Sequence, residues 1–535
     1  MTTKQKLEKI IKEALVDITD ETSVDFDINY PNEDKFGDYA TNIAMVLAKE
    51  LKKNPVDIAG QFKEKLNSSK ELQKIVSKVE VVNPGFINFF LSKEYLEEQL
   101  KEINKSKEYG TSKQGISKKV QIEFISANPT GPLTLANGRG GFLGDALANI
   151  MRLAGYKVDR EYLINDAGNQ ITTLGLSSLS AVAKIPDSPD YYHGDYVNSY
   201  MQEMMVEAPN YVNLPAEDIG AEFANYLFSR EIKPVIENGM KIKFDKYFSE
   251  QKELHDKGKV ENVIEFLKKK NLTYVQDDAL WFKTTGHGDD KDRVLVTSDG
   301  RYTYMAVDIA YHLNKFKRGY DRVIDIWGAD HGGYVDRMLA GVSAIGFEGQ
   351  LEIIIMQLVK LMSGGKEVRM SKRKGEYVTM QYLLDLLPLD VVRWFFLMYN
   401  PNTHMLFDLD LAKDKSEKNP VYYVQYAHAR ISSILSQAKG YKKEDKKDMS
   451  DEEISFVKVL LRWPEIVQDV SQIYQLNSVT TYATLVAESF HKYYQNYRVI
   501  DNEKVNESRL EIISAYKKIL ISVLSSLGIS APDKM

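Results

Sequence analysis

The sequence predicts an α/β protein: a central parallel sheet, with an α+β unit before it and an all-helical unit after it. Three observations carry this reading. Residues from about 118 to 380 alternate strand-like and helix-like runs, the pattern of parallel strands joined by crossover helices. Residues 1 to about 110 mix amphipathic helices with β-rich runs. From 416 to 535 the periodicity is helical throughout. A length of 535 residues allows three or four domains, and 43% hydrophobic residues support full-sized cores.

The elements follow in order. The opening MTTKQKLEKIIKEAL sets Leu7, Ile10, Ile11, Ala14 and Leu15 at helical spacing with acids among them. It reads as an amphipathic helix and not as a signal or transit peptide. Ala40 to Lys52 places Ile43, Leu47 and Leu51 on one helix face, and Val79–Val82 with Gly85–Phe90 reads as strands. Lys105 to Lys119 is a polar linker. Within 118–380, about 175 to 260 reads as a helical insertion between two halves of the sheet. Residues 381–415 are a connecting helical segment. The charge run Lys442 to Asp448 interrupts the last unit as a solvated loop. The 416–535 unit is expected to be separable from the α/β core.

Composition narrows the function. With no cysteine there are no disulfides or thiolate metal sites, which suits a reducing cytoplasm. The longest apolar run, Ile519 to Ile529, is too short and broken by serines to span a bilayer, so no membrane partner is expected. A net charge of −6 argues against a nonspecific coat on nucleic acid, though a local basic face remains compatible with it.

Val120 to Ile150, VQIEFISANPTGPLTLANGRGGFLGDALANI, says most about chemistry. A strand, Val120 to Ile125, leads into a loop with Pro129 and Pro132. A helix is expected to begin near Arg139 or Gly140. Gly138, Gly140, Gly141 and Gly144 would let backbone approach a phosphate at that helix start. A dinucleotide fingerprint does not fit. Leu143 stands where its last glycine belongs, and Ser126 to Asn137 is too long for the tight turn, although Asp159 lies at a suitable distance. No G-x-x-x-x-G-K-[ST] occurs.

Three further segments carry candidate chemistry. Arg369-Met370-Ser371-Lys372-Arg373-Lys374-Gly375 gathers four cations before a glycine, either an anion-holding loop or an exposed basic hairpin. Gly328-Ala329-Asp330-His331 follows the strand-like Val323–Ile326, where open α/β sheets bind ligands; His331 could equally be a helix-start residue satisfied by backbone. Tyr304 and Asp308, four apart, share a face if their segment is helical. A phenol and a carboxylate so placed can grip a planar guanidinium, or be a core tyrosine and a surface acid.

Pro129-Thr130-Gly131-Pro132-Leu133 followed by Gly138-Arg139-Gly140 resembles the first signature of class I aminoacyl-tRNA synthetases, and the arginyl family most. The family's His-x-Gly-His falls on Thr134-Leu135-Ala136-Asn137, so both histidines and the glycine are replaced. Arg369–Arg373 resembles the Lys-Met-Ser-Lys-Ser loop, with arginine at its first position and its last. Tyr162–Gln170, Phe36–Asn42, Asn419–Arg430 and Gly528–Met535 match further family segments, so the resemblance covers the whole chain.

The resemblance implies a class I synthetase-type, Rossmann-like catalytic domain between an N-terminal tRNA-contacting domain and an all-α anticodon-binding domain. It implies an arginine–tRNA ligase that forms arginyl-adenylate from arginine and ATP, with Mg²⁺ accompanying the ATP and no dedicated protein metal site. Lys372, Thr134 and Asn137 would be catalytic. Pro129, Gly131, Thr134, Asn137, Gly138, Gly328, Asp330, His331, Met370, Ser371 and Lys372 would meet ATP. Glu123, Ser126, Asn128, Tyr304, Asp308 and Gln357 would hold arginine, Glu123 countering its ammonium. Phe36, Asn42, Tyr422, Tyr426 and Arg430 would touch tRNA(Arg). A cytoplasmic monomer is expected. Two alternatives stay open: a paralogue that binds arginine, ATP or RNA without ligating them, and an RNA-independent ligase that adenylates carboxylates.

Overall fold

The computed structural model describes residues 1–19, 24–368, 378–444 and 448–535. A five-stranded parallel sheet lies at the centre. Its strands are β1 (Lys119–Glu123), β2 (Lys157–Ile164), β3 (Lys246–Ser249), β4 (Arg322–Gly328) and β5 (Leu351–Met356), in the order β5-β4-β1-β2-β3. The chain runs outward from β1 to β3, then returns to build β4 and β5 on the other side. This reversal leaves a crevice beyond the C-terminal ends of β1 and β4, the usual ligand site of such sheets.

One helix on each face matters here. Helix α1 (Leu135–Leu153) covers the face where Val120, Ile122 and Phe124 point. Helix α2 (Tyr304–Lys317) covers the other, with Met305, Ala306, Ile309 and Ala310 in a second core beside Val323 and Phe248.

Several sequence expectations need correction. Strand β3 falls inside the stretch read as a helical insertion. Its helices, Asn169–Ala181, Asp195–Glu207 and Ala216–Leu227, end before it and hold a third core around Leu174, Met201 and Phe223. A three-stranded antiparallel sheet, Thr273–Gln276, Ala279–Phe282 and Arg293–Val296, was not foreseen because its runs are only four residues each. Met405–Asp408, expected to be helical, is a strand parallel to Val359–Ser363. The last unit also carries short strands, with Lys442–Lys443 of the charge run pairing to Lys504–Val505; residues 445–447 of that run lie outside the described residues.

At the N-terminus a four-stranded antiparallel sheet packs with helices Thr3–Ile18, Ile43–Leu51, Pro55–Asn67 and Lys93–Lys105. The C-terminal helices do not form a separate core. One continuous apolar cluster runs from Leu7 through the α1 face of the sheet to Leu524. Helix α3 (Trp463–Ile473) shows why. Near its start Glu465, 1% exposed, accepts from the Lys4 backbone N–H at 2.7 Å and from the phenols of Tyr30 and Tyr39. At its end Gln472 donates to Tyr156 and the Tyr474 hydroxyl bridges Arg322 and Glu352. Arg393, also buried, donates to the carbonyls of Leu527 and Met240 and pairs with Asp145 of α1. Removing 416–535 would therefore open the core of the rest. No helix among the described residues is long and apolar enough to cross a membrane.

Candidate active site

The helix after β1 begins a turn earlier than its glycines suggested. Thr134 is the N-cap of α1 and forms a reciprocal capping box with Asn137: the Asn137 N–H donates to Thr134 Oγ1, and Asn137 Oδ1 accepts from the Thr134 N–H at 2.9 Å and its hydroxyl at 2.8 Å. This is the work a Thr-x-x-Asn sequence can do at a helix start. It also corrects the expectation for Thr134, whose hydroxyl proton is given to Asn137. Because Oδ1 is fixed by a backbone N–H, the Asn137 amide nitrogen is the group left facing outward.

The glycines lie inside α1, not in the loop before it. A Cβ on Gly138 would stand 2.2 Å from Met380 Sδ, on Gly140 2.8 Å from Met356 Cε, and on Gly144 2.3 Å from the Phe124 ring. They bring the helix close to the sheet. Gly138, expected at ATP, is buried beneath Met380. Pro129 is buried and Gly131 half-buried in the preceding loop.

That loop is held from several sides. Ile125 and Ser126 both have positive φ, 66° and 37°, a strained exit for non-glycine residues. The Ser126 hydroxyl donates to Glu123 at 2.8 Å and accepts from the Leu163 N–H at 3.1 Å. Tyr162 donates to the Ala127 carbonyl, and Tyr196, from the insertion, to that of Thr130. Asn128 is left exposed at the tip. An antiparallel bridge joins Thr134 to Thr379, with the Met380 N–H on the Leu133 carbonyl at 2.7 Å. The segment after the basic loop is thus tied to the start of α1. Met370, Ser371 and Lys372 lie outside the described residues.

Tyr304 and Asp308 lie on one helix, so the condition for their sharing a face is met. Tyr304 is 70% exposed. Asp308 is half-buried. Its Oδ2 accepts from the Tyr334 hydroxyl at 2.7 Å, and among the described residues no donor reaches Oδ1. Burial pushes its carboxyl up to about 6, against the Tyr334 hydrogen bond and the nearby His312. Gly328 ends β4, and Asp330 and His331 stand exposed on the 3-10 turn Ala329–Tyr334, the His331 Nε2 3.6 Å from Asp330 Oδ2. Gln357 follows β5, its carbonyl held at 2.6 Å by the buried Arg139 of α1.

Glu123 departs from expectation. It is 6% exposed, and its carboxylate is met by Lys315 and Ser126, so its charge is already answered within the protein. Burial raises its carboxyl and Lys315 opposes this.

Residues 99–389 match the family model for the catalytic domain of class I (R) tRNA synthetases, 5–91 the arginyl tRNA synthetase N terminal domain, and 424–535 the DALR anticodon binding domain. An arginine–tRNA ligase of Halalkalibacterium halodurans is 41% identical, over 97% of this chain and 96% of its own. The chain belongs to the arginyl-tRNA synthetases. A ligase of Caldanaerobacter subterraneus is 42% identical, over 98% of this chain and 96% of that one. In fold, the synthetase resembles the Thermus thermophilus arginyl-tRNA synthetase with a TM-score of 0.75 at 21% identity, each chain covered completely.

The tRNA-facing candidates of the synthetase divide. Tyr426 and Arg430 are exposed on helix Pro420–Ala438, hydrogen-bonded to each other at 2.9 Å. The Arg430 guanidinium lies 4.7 Å over the Tyr494 ring, and Tyr426 stacks near His491. Tyr422 is half-buried and packs on the core. Phe36 is half-buried under Lys35. Asn42 is half-buried, and its amide exchanges hydrogen bonds with Asp27. Sequence reasoning missed Tyr334, Tyr196, Lys315 and Asp325. A signal existed for Lys315: YHLNKFK puts His312 and Lys315 one turn apart on a helix whose neighbours are apolar.

Proposed function

We propose that this synthetase joins arginine to tRNA(Arg) through an arginyl-adenylate, with arginine seated between α2 and the strained loop after β1. The observation that carries the seat is Asp308: one oxygen fixed by Tyr334, the other open, the exposed Tyr304 one turn away, all beside the crevice where the sheet reverses. A guanidinium offers a planar set of donors that a carboxylate and a phenol can share. The arginine carboxylate would be turned toward ATP by Asn128 and Gln357. Glu123 and Ser126 would hold the loop instead of touching the ammonium.

ATP would lie across the start of α1, with its adenosine by Gly328, Asp330 and His331 and its phosphates at the first turn. Asn137 offers a neutral donor there and the helix end a partial positive charge. Lys372 would neutralise charge that grows on pyrophosphate as the arginine carboxylate attacks the α-phosphate. Mg²⁺ would arrive as part of the nucleotide; among the described residues no cluster of three or more His, Cys, Asp or Glu could hold a metal. The terminal ribose hydroxyl of the tRNA then takes the arginyl group and AMP leaves. Tyr426 and Arg430, with His491 and Tyr494, would stack on unpaired anticodon bases. A cytoplasmic monomer completes this reading.

Asp308→Asn tests it. Losing the charged partner of a partly buried pair costs about 3–5 kcal/mol, so the arginine KM in ATP–pyrophosphate exchange with tRNA present should rise at least a hundredfold or so, with ATP KM little changed. Arginine kinetics unaltered by the substitution would remove Asp308 from the seat.

A further inference from the structure

Beside its apolar contacts, helix α2 meets the sheet through charge. Tyr311, His312, Lys315 and Arg318 face three carboxylates that sit side by side on adjacent strands: Glu161 on β2, Glu123 on β1 and Asp325 on β4, paired in register. Tyr311 and Arg318 donate to Glu161, each at 2.8 Å. Lys315, wholly buried, bridges Glu123 and Asp325, 2.7 Å from the latter. Two cations therefore face three anions in a layer that is buried except at its Arg318 edge. A third positive charge or a protonated carboxyl is required.

The geometry of His312 decides between them. Its Nε2 lies 2.8 Å from Asp325 Oδ2 and its Nδ1 2.8 Å from the backbone carbonyl of Asp308. A carbonyl only accepts. Burial pushes the Asp325 carboxyl up, and the Lys315 ammonium, buried 2.7 Å from its Oδ1, opposes this and holds it as a carboxylate. Both ring nitrogens thus face acceptors, which only a doubly protonated imidazole satisfies. That cation balances the row.

It also stands one helical turn from Asp308. The groups around the Asp308 carboxyl are Tyr334 from the turn after β4, Glu250 after β3, Glu123 on β1 and His312 on its own helix. Of the charged ones, His312 favours the ionised form; Arg337, 5.0 Å over the Tyr334 ring, and Arg293 stand behind the phenol.

We propose that His312 is a positioning residue for arginine, an imidazolium that fixes the turn of α2 bearing Asp308 and supplies the charge that keeps Asp308 ready for a guanidinium. The inference rests on the reading that Asp308 grips the substrate side chain.

His312→Gln keeps a donor for Asp325 and removes the charge. At about pH 7 its arginine KM should rise about tenfold with ATP KM within roughly twofold, and the acid limb of the arginine KM profile should move up by about one pH unit. Arginine and ATP constants that move together, or an acid limb that stays in place, would overturn the proposal. Asp308→Asn separates the two levels. If that variant binds arginine normally, the seat itself is wrong; if it fails and His312→Gln does not, only His312 loses its role. Should His312→Gln not fold, ¹⁵N-histidine NMR of the unchanged synthetase reads the ring directly. One of its eight histidines should carry protons on both nitrogens and shift when arginine binds. Eight singly protonated rings would end the proposal.

Discussion

Strand β1 shows the sheet's two faces in five residues. Toward α1 it turns Val120 and Ile122, and Phe124 just beyond; toward α2 it turns Gln121 and Glu123. The first contact is made by shape, with glycines removing side chains so that helix and strand can meet. The second adds charge to its apolar contacts, with long cations reaching down to carboxylates. The shape-built face carries the start of α1, where phosphates would bind, and the charge-built face carries Asp308. A close-packed helix leaves its backbone little room to shift. An ion-clamped helix also sets the electrostatic character of what it carries. The substrate with the guanidinium is paired with the second.

The comparison can be broken first at Lys315. Lys315→Met removes the cation shared by Glu123 and Asp325, leaving only Ser126 on the first and His312 on the second, and should cost about 3–5 kcal/mol, read as a lower urea midpoint. Loss under 1 kcal/mol or so would mean that the row is not ionised as described. On the other face, Gly144→Ala drives a methyl into the Phe124 ring and should cost about 1–3 kcal/mol, while Gly168→Ala, where a Cβ meets nothing within 4 Å, serves as a control for strain at its φ of 77°.

A third test uses pH. The free-enzyme Asp308 carboxyl, raised to about 6, must be ionised to hold a guanidinium. Arginine KM should be flat above that value and climb up to about tenfold per pH unit below it. The sign for stability is opposite: a carboxyl raised in the folded state takes its proton more readily there, so the unliganded fold gains from this group as pH falls from about 6 toward 4. A KM without an acid limb would contradict the burial of Asp308.

The smallest expected effect is a gain. Gln121 is fully buried on the charged face, and neither of its amide atoms has a partner among the described residues. Gln121→Leu should stabilise the protein by about 1 kcal/mol, because an unsatisfied buried amide is removed. Destabilisation would point to a hydrogen bond that forms when substrate binds.

The parallel sheet was legible because its strands are short apolar runs bounded by turns, and α2 because its periodicity is strong. Tyr304 and Asp308 could be paired from spacing alone. The partners across the sheet could not: Asp325 and Glu123 are 202 positions apart, and only the strand order makes them neighbours. The glycines of α1 were misread because a glycine near a proline loop signals a phosphate turn as readily as a tight helix contact. Sequence could not tell that Met380 and Phe124 stand opposite. Asn137 was foreseen as a donor, but its cap with Thr134 needed the helix start, the least certain part of any helix read from sequence.

The row of three carboxylates has a consequence for how the chain finds its fold. A parallel strand that pairs one residue out of step turns every side chain to the opposite face. Such a slip of β1 would carry Glu123 into the oily layer under α1 and leave Lys315 buried beside a hydrocarbon. Apolar strands such as Ile353 to Ile355 would tolerate that exchange, since both of their faces read alike. The charged row makes the wrong alignments expensive while the sheet is still assembling, so the residues that ready the arginine seat also proofread the sheet beneath it.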